Sequence, residues 1–236
     1  MALSTLLGKF TGLKVMPIMK LTLIRHGEMC GDPFICPERP VQGCLTEESG
    51  IPQAEAAAQA LKDVHFDHAF SSPYGRALQT AEIIMTGRET DIEVLHFLHE
   101  WMPSPELASL PSTVYEQIQQ QAEDVYAEES WKTDMGEGHF EMSARIIPPF
   151  LKELDRLGIH SRMGGFVPEE HARNLSIAVF AHGGSLGTLL NFLLGVRAFP
   201  ISGFRFELTG VATIDFKERK GIYYPQLRIS SIHAIQ

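Results

Sequence analysis

The sequence predicts an α/β fold in three layers, with a mostly parallel central sheet and helices on both of its faces. Three observations carry that reading. Strand-like and helix-like stretches alternate from Leu21 to the C-terminus. Ser176–Ala181 (SIAVFA) is a continuous apolar run of the kind a parallel sheet buries on both faces. No Pro/Gly/Ser-rich linker, low-complexity run or solenoid-type repeat interrupts the chain. Its 236 residues, 44% hydrophobic, therefore read as one domain over residues 19–236 with a well-buried core.

In chain order, residues 21–24 form a short buried strand that runs directly into Arg25-His26-Gly27-Glu28. A loop of Gly, Pro and Cys follows to about residue 50. Residues 52–61 have the alanine-rich composition and spacing of an amphipathic helix, with Pro52 in the first turn. His68–Ser71 (HAFS) is a second strand, ended by Ser72-Pro73, and Gly75–Met85 is the next helix, with Arg76 in its first turn. Residues 92–95 read as a third strand leading into 96–100. Residues 111–128 and 138–157 are helical in pattern and polar on one face, so they read as a cap or helical layer rather than the central core, with a helical/loop cap expected from about 100–140. The strand Ser176–Ala181 ends in His182-Gly183-Gly184, and residues 185–194 form a helix closed by Gly195. Residues 206–208, 211–216 and 227–232 read as later strands.

The formal charge of −9 argues against a nucleic-acid partner, which calls for a basic face that neutralises several phosphates. A small anion is not excluded, because a few converging arginines make one pocket positive on an acidic protein. Cys30, Cys36 and Cys44 match no common zinc or disulfide framework and read as reduced loop thiols of a cytoplasmic protein, with a redox role as the alternative. The first eighteen residues carry Lys9 and Lys14 and no acid, but Gly8, Lys9, Gly12 and Lys14 break their apolar run. That is a poor leader and too short for a membrane span, so 1–18 reads as an extension outside the core, with no membrane partner. A homodimer is compatible with the sequence.

Two stretches, residues 21–27 and 177–183, share one pattern: a buried strand delivers a His-Gly pair at its carboxyl end. In an open α/β sheet that end is where ligands bind. Two histidines, two arginines and a helix N-terminus could thus converge. Phosphoryl transfer needs such a set, since its cost lies in positioning and in stabilising charge on the equatorial oxygens. An arginine donates two parallel bonds to phosphate without losing its charge, and a neutral imidazole is nucleophilic near neutral pH. His96 and His99, like His65 and His68, have H-x-x-H spacing but no third ligand at a familiar distance, so they read as polar surface; no metal or cofactor is expected.

Arg25-His26-Gly27-Glu28, then Ser71-Ser72-Pro73 with Arg76-Ala77-Leu78-Gln79-Thr80-Ala81, then Ala181-His182-Gly183-Gly184 resemble, in this order, the histidine phosphatase superfamily, also called phosphoglycerate mutase-like. Weaker similar pieces are Leu45-Thr46 with Gly50, Leu98-His99-Glu100, and Arg145 after Gly138. The resemblance implies that His26 is the nucleophile that becomes phosphohistidine, that Arg25 and Arg76 clamp the phosphoryl oxygens, and that His182 stands opposite as a donor. It also implies that Glu100 protonates the leaving group, although Glu28 and Glu106 are rival carboxylates. Gly183 offers an unobstructed N–H, and Gln42-Gly43 resembles the pair that returns to the pocket. The usual Thr-x-x-Asn is replaced by Met29-Cys30-Gly31-Asp32, and 101–105 (WMPSP) lacks the basic set of the mutase branch. The expected activity is therefore hydrolysis of a small phosphorylated metabolite. A phosphoglycerate mutase, or a weakly catalytic phosphate-binding or scaffold protein, is the alternative.

Overall fold

The computed structural model describes residues 19–31, 44–110, 114, 132–133, 136–196 and 204–228. Its elements are β1 (Lys20–Arg25), α1 (Gly50–Ala60), β2 (His68–Ser71), α2 (Gly75–Met85), β3 (Ile92–Val94), the two-residue strands β4 (Lys132–Thr133) and β5 (Gly136–Glu137), and α3 (His139–Arg156). They continue with β6 (Ile159–Arg162), β7 (Gly165–Pro168), β8 (Ser176–Ala181), α4 (Gly183–Leu194), β9 (Val211–Arg219) and β10 (Ile222–Arg228).

Eight strands form one sheet in the order β3-β2-β8-β1-β9-β10-β7-β6. The layered α/β class is as expected, but the sheet is mixed rather than mostly parallel. β3, β2, β8 and β1 run parallel, whereas every pairing from β1 through β9, β10 and β7 to β6 is antiparallel. Two-residue turns make the β6–β7 and β9–β10 pairings of the antiparallel half. Met163-Gly164 joins β6 to β7 and Lys220-Gly221 joins β9 to β10, with φ of 50° and 75°, and 54° and 80°. Both central residues have positive φ, the geometry whose twist matches a two-residue hairpin.

Alternation along the strands sends side chains into two cores. Leu21, Leu23, Phe70, Ile177, Val179 and Ala181 face α3 and α4, where Ile146, Phe150, Leu186 and Leu189 meet them. Ile24, Ala69, Ala178 and Phe180 face α1 and α2, against Ala57, Ala81 and Ile84. Burying a Leu or Phe of this kind stabilises by about 1.5–3 kcal/mol. In α3, Met142, Ile146, Phe150 and Leu154 make one buried stripe at four-residue spacing, so this helix belongs to the core layer even with Pro148 and Pro149 inside it.

Residues 206–208 are not a strand. Thr209 takes a φ of 54°, its N–H donates to the His26 carbonyl, and Gly210 accepts from the Arg25 N–H, so this irregular segment closes the end of β1. Of the last expected strand, residues 227 and 228 belong to β10, which begins at Ile222. Residues 1–18, Cys36, Gln42, Gly43 and 229–232 lie outside the described residues, and of 111–128 only Val114 is described, in helical conformation.

Candidate active site

Strand register builds the site. β1 and β8 pair with Arg25 opposite Ala181, so the next residues, His26 and His182, emerge side by side past the carboxyl edge of the sheet. Their ring centroids are 5.1 Å apart, and the His26 N–H donates to the Ala181 carbonyl. β2 ends beside β8, with Ser71 opposite Phe180, and Ser72-Pro73-Tyr74 then turns the chain into α2. That turn delivers Arg76, only 3% exposed, under both imidazoles. Its Nε–H reaches His26 Nε2 and His182 Nδ1, each at 3.1 Å.

A guanidinium only donates, so both nitrogens facing Arg76 present lone pairs, and this network assigns the tautomers. The proton of His26 sits on Nδ1 and is donated to the Gly27 carbonyl at 2.7 Å, leaving Nε2 as a base aimed into the pocket. The proton of His182 sits on Nε2, 2.7 Å from the Ser72 hydroxyl. Burial, then the Arg76 charge, with a smaller push from Arg25, hold the His26 pKa at about 3 against the opposing Gly27 bond. Burial, then Arg76, lower that of His182 well below its ordinary value. Both rings are therefore neutral in the folded chain.

Because both rings titrate near the ordinary 6.5 once unfolded, the unfolded chain binds more protons than the folded one below that pH. Their contribution to stability is complete above pH 6.5 and falls as pH drops toward about 3, where His26 itself charges. Denaturant unfolding in phosphate-free buffer is expected to give a lower midpoint at pH 5 than at pH 7, with a smaller difference for His26→Gln. An equal difference in the two proteins would remove His26 as a cause.

Arg25 supplies the second guanidinium. Its Nη1–H donates to the Phe206 carbonyl at 2.6 Å, while its buried Nε–H has no hydrogen-bond partner among the described residues. Burial lowers its pKa, with Glu100 and Glu207 raising it and Arg76 lowering it. A buried, unpaired donor beside a second guanidinium is what an oxyanion would satisfy. A Cβ placed on Gly183 would stand 3.7 Å from the Arg25 guanidinium, so the first turn of α4, the positive end of that helix, lines the same pocket.

Glu100 reaches the pocket from the segment after β3. Its Oε2 accepts the Gly184 N–H at 3.1 Å and its Oε1 the Trp101 N–H at 2.8 Å. A Cβ on Gly184 would lie 2.4 Å from Oε1, so glycine there is what lets the carboxylate seat on α4. Of the rival acids, Glu28 is exposed and accepts the Thr46 hydroxyl at 3.0 Å, and Glu106 is exposed in the helical turn Pro105–Ala108.

Against this geometry stands the comparison with known proteins. The model of the Histidine phosphatase superfamily (branch 1) matches residues 21–223. The chain belongs to this superfamily. A relative from Salmonella typhi, adenosylcobalamin/alpha-ribazole phosphatase, is 30% identical over 85% of this chain and 92% of its own length. Probable phosphoglycerate mutase GpmB of Proteus mirabilis is 26% identical over 85% of this chain and 86% of its own. A shorter match, 41% identical, covers 32% of this chain and only 30% of the probable fructose-2,6-bisphosphatase TIGAR A of Danio rerio. The fold is shared with a solved mycobacterial glucosyl-3-phosphoglycerate phosphatase, at a TM-score of 0.67 and 20% identity, covering 89% of this chain and 97% of that one. The superfamily and its relatives are phosphatases or mutases, so the chain is a phosphoryl-transfer enzyme.

Within this superfamily member, further residues support the pocket, most of them inside the motifs quoted above. Ser72 fixes His182. The Thr80 hydroxyl accepts the Gly27 N–H at 3.1 Å and donates to the Arg76 carbonyl at 2.8 Å, tying the two halves of the pocket together. Tyr74 packs edge-on to the His182 ring at 5.3 Å and beneath Arg76 at 5.2 Å. Gly27 and Gly50 permit a close backbone approach, since a Cβ on Gly50 would lie 2.0 Å from the Glu28 carbonyl oxygen. His99 bonds the Glu100 carbonyl through Nδ1 and stacks on Tyr74. Among the described residues no group of three His, Cys, Asp or Glu is placed to hold a metal ion. No helix among them is long and apolar enough to cross a membrane.

Proposed function

We propose that the chain hydrolyses a small phosphomonoester without a metal, by way of a phosphohistidine at His26. The observation that carries this reading is the single Arg76 N–H shared by His26 Nε2 and His182 Nδ1, with the His26 proton held on the opposite nitrogen. A phosphoryl group entering there takes over the Arg76 donor and satisfies Arg25 Nε. The lone pair of His26 Nε2 attacks phosphorus as the bond to the leaving oxygen breaks, and Glu100 in its acid form gives that oxygen its proton, releasing the alcohol. Water then attacks phosphorus, Glu100 takes up its proton, and the P–N bond breaks to release inorganic phosphate. Arg25 and Arg76 hold the equatorial oxygens through both steps, where their preorganised charge lowers the barrier, and His182 joins them as a donor when a proton from the bound phosphate monoanion reaches its Nδ1. The relative named as a phosphatase, at 30% identity, supports hydrolysis.

The test is release of inorganic phosphate from a panel of phosphomonoesters in excess chelator, with and without a bisphosphorylated glycerate as primer. Phosphate release that needs neither metal nor primer is expected. Primer-dependent isomerisation without phosphate release would favour the mutase reading that other relatives suggest. In the same assay Glu100→Gln is expected to lower kcat/KM for alkyl phosphates by about 10²–10⁴-fold and for p-nitrophenyl phosphate far less, because an activated leaving group needs no proton. Equal loss on both would argue against Glu100 as the proton donor.

A further inference from the structure

We propose that Arg145, locked to Glu137, is the positioning residue that sets Glu100 as proton donor; this rests on the reading of Glu100 given above. Arg145 lies in the second turn of α3, and every N–H of its guanidinium has an acceptor. Nε and Nη2 fork onto the two carboxylate oxygens of Glu137 at 2.6 and 2.7 Å. Nη1 donates to the carbonyls of Phe97 at 2.7 Å and His99 at 3.2 Å, and Nη2 also reaches the Glu100 carbonyl at 3.4 Å. Three carbonyls in a span of four residues, the last belonging to Glu100 itself, are thus held by one planar, fully committed group.

Glu137 completes the grip from β5. Its carbonyl accepts the Trp101 indole N–H at 2.5 Å, and its N–H donates to the Met102 carbonyl at 2.8 Å. Residues 97–102 are therefore held by Arg145 and Glu137, while the Glu100 carboxylate accepts the Trp101 and Gly184 N–H groups. With side chains 16% and 6% exposed, the Arg145–Glu137 pair is shielded enough to stay rigid, and its donors are too occupied to touch substrate. The pair acts on the reaction through Glu100. Lysine cannot replace it: a point charge on a flexible stem does not fork onto a carboxylate and hold three carbonyls at once.

The experiment compares kcat/KM for an alkyl phosphate and for p-nitrophenyl phosphate in wild type, Arg145→Lys, Glu100→Gln and the double variant, with circular dichroism to verify the fold. Arg145→Lys is expected to lower the alkyl-to-aryl rate ratio at least about tenfold, since a misplacement near 1 Å costs up to about 10²-fold. In the Glu100→Gln background it should lower the ratio no further. Should the lysine variant not fold, Glu137→Gln, which keeps the volume and one acceptor oxygen, gives the same readout. Equal loss on both substrates, as a purely structural role would give, overturns the proposal, and so does a further fall in the double variant. If Glu100→Gln alone leaves the ratio unchanged, the proton-donor reading fails and takes this one with it. Normal discrimination by Glu100→Gln with none by Arg145→Lys overturns this one alone.

Discussion

Replacing His26 with Ala is expected to lower kcat by about 10⁴–10⁶-fold, the scale on which removal of a covalent nucleophile acts when the rest of the site stays in place. The substitution deletes the imidazole whose Nε2 lone pair is fixed by the bond from its Nδ1 proton to the Gly27 carbonyl. Phosphate affinity should fall far less than turnover, as Arg25 and Arg76 both remain. Phosphate release, with competitive inhibition by inorganic phosphate measured alongside, separates the two effects. Substantial turnover in a folded His26→Ala protein would contradict covalent catalysis at this residue.

Arg76→Lys should be nearly as damaging, with kcat/KM lowered by about 10²–10³-fold, the loss typical of deleting one preorganised donor from an oxyanion site. The charge survives, but lysine has no counterpart to the Nε–H that stands between the two imidazoles, and no planar fork for two phosphoryl oxygens. Arg76 is also buried, so a shorter-range, more strongly hydrated ammonium would have to be desolvated in its place. Competition by inorganic phosphate or vanadate should weaken in parallel with kcat/KM. A variant that binds vanadate as tightly as wild type would show that Arg76 does not hold the phosphoryl group.

Much of the pocket was legible because its residues follow directly from strands. Arg25-His26 and His182 each end an apolar run, and a buried strand in an α/β sheet delivers its next residue to the carboxyl edge; the Arg25–Ala181 register then makes the two histidines neighbours. Arg76 was legible as a first-turn arginine after Ser-Pro. Glu100 was named only through the resemblance of Leu98-His99-Glu100, because three carboxylates of equal chemistry differ in surroundings that the sequence does not display, such as the Gly184 N–H that Glu100 accepts.

The antiparallel half of the sheet was hidden for a different reason. β6 and β7 are four residues each, and Met163 stands at a left-handed turn position where Asn or Gly would have announced a hairpin. Phe206 and Leu208 look like strand residues, yet the left-handed Thr209 ends that pattern. What this segment contributes, the Phe206 carbonyl on Arg25, is a backbone group that no side-chain letter advertises. Thr80 and Ser72 act through hydroxyls whose partners are distant in sequence, Thr80 to Gly27 and Ser72 to His182.

The most direct measurement is a rapid acid-free quench of the enzyme during turnover of a ³²P-labelled phosphomonoester, followed by peptide mapping. The account predicts about one acid-labile, alkali-stable label per active site, on His26 Nε2, absent from His26→Ala. Turnover with no labelled protein, or label on another residue, would contradict it.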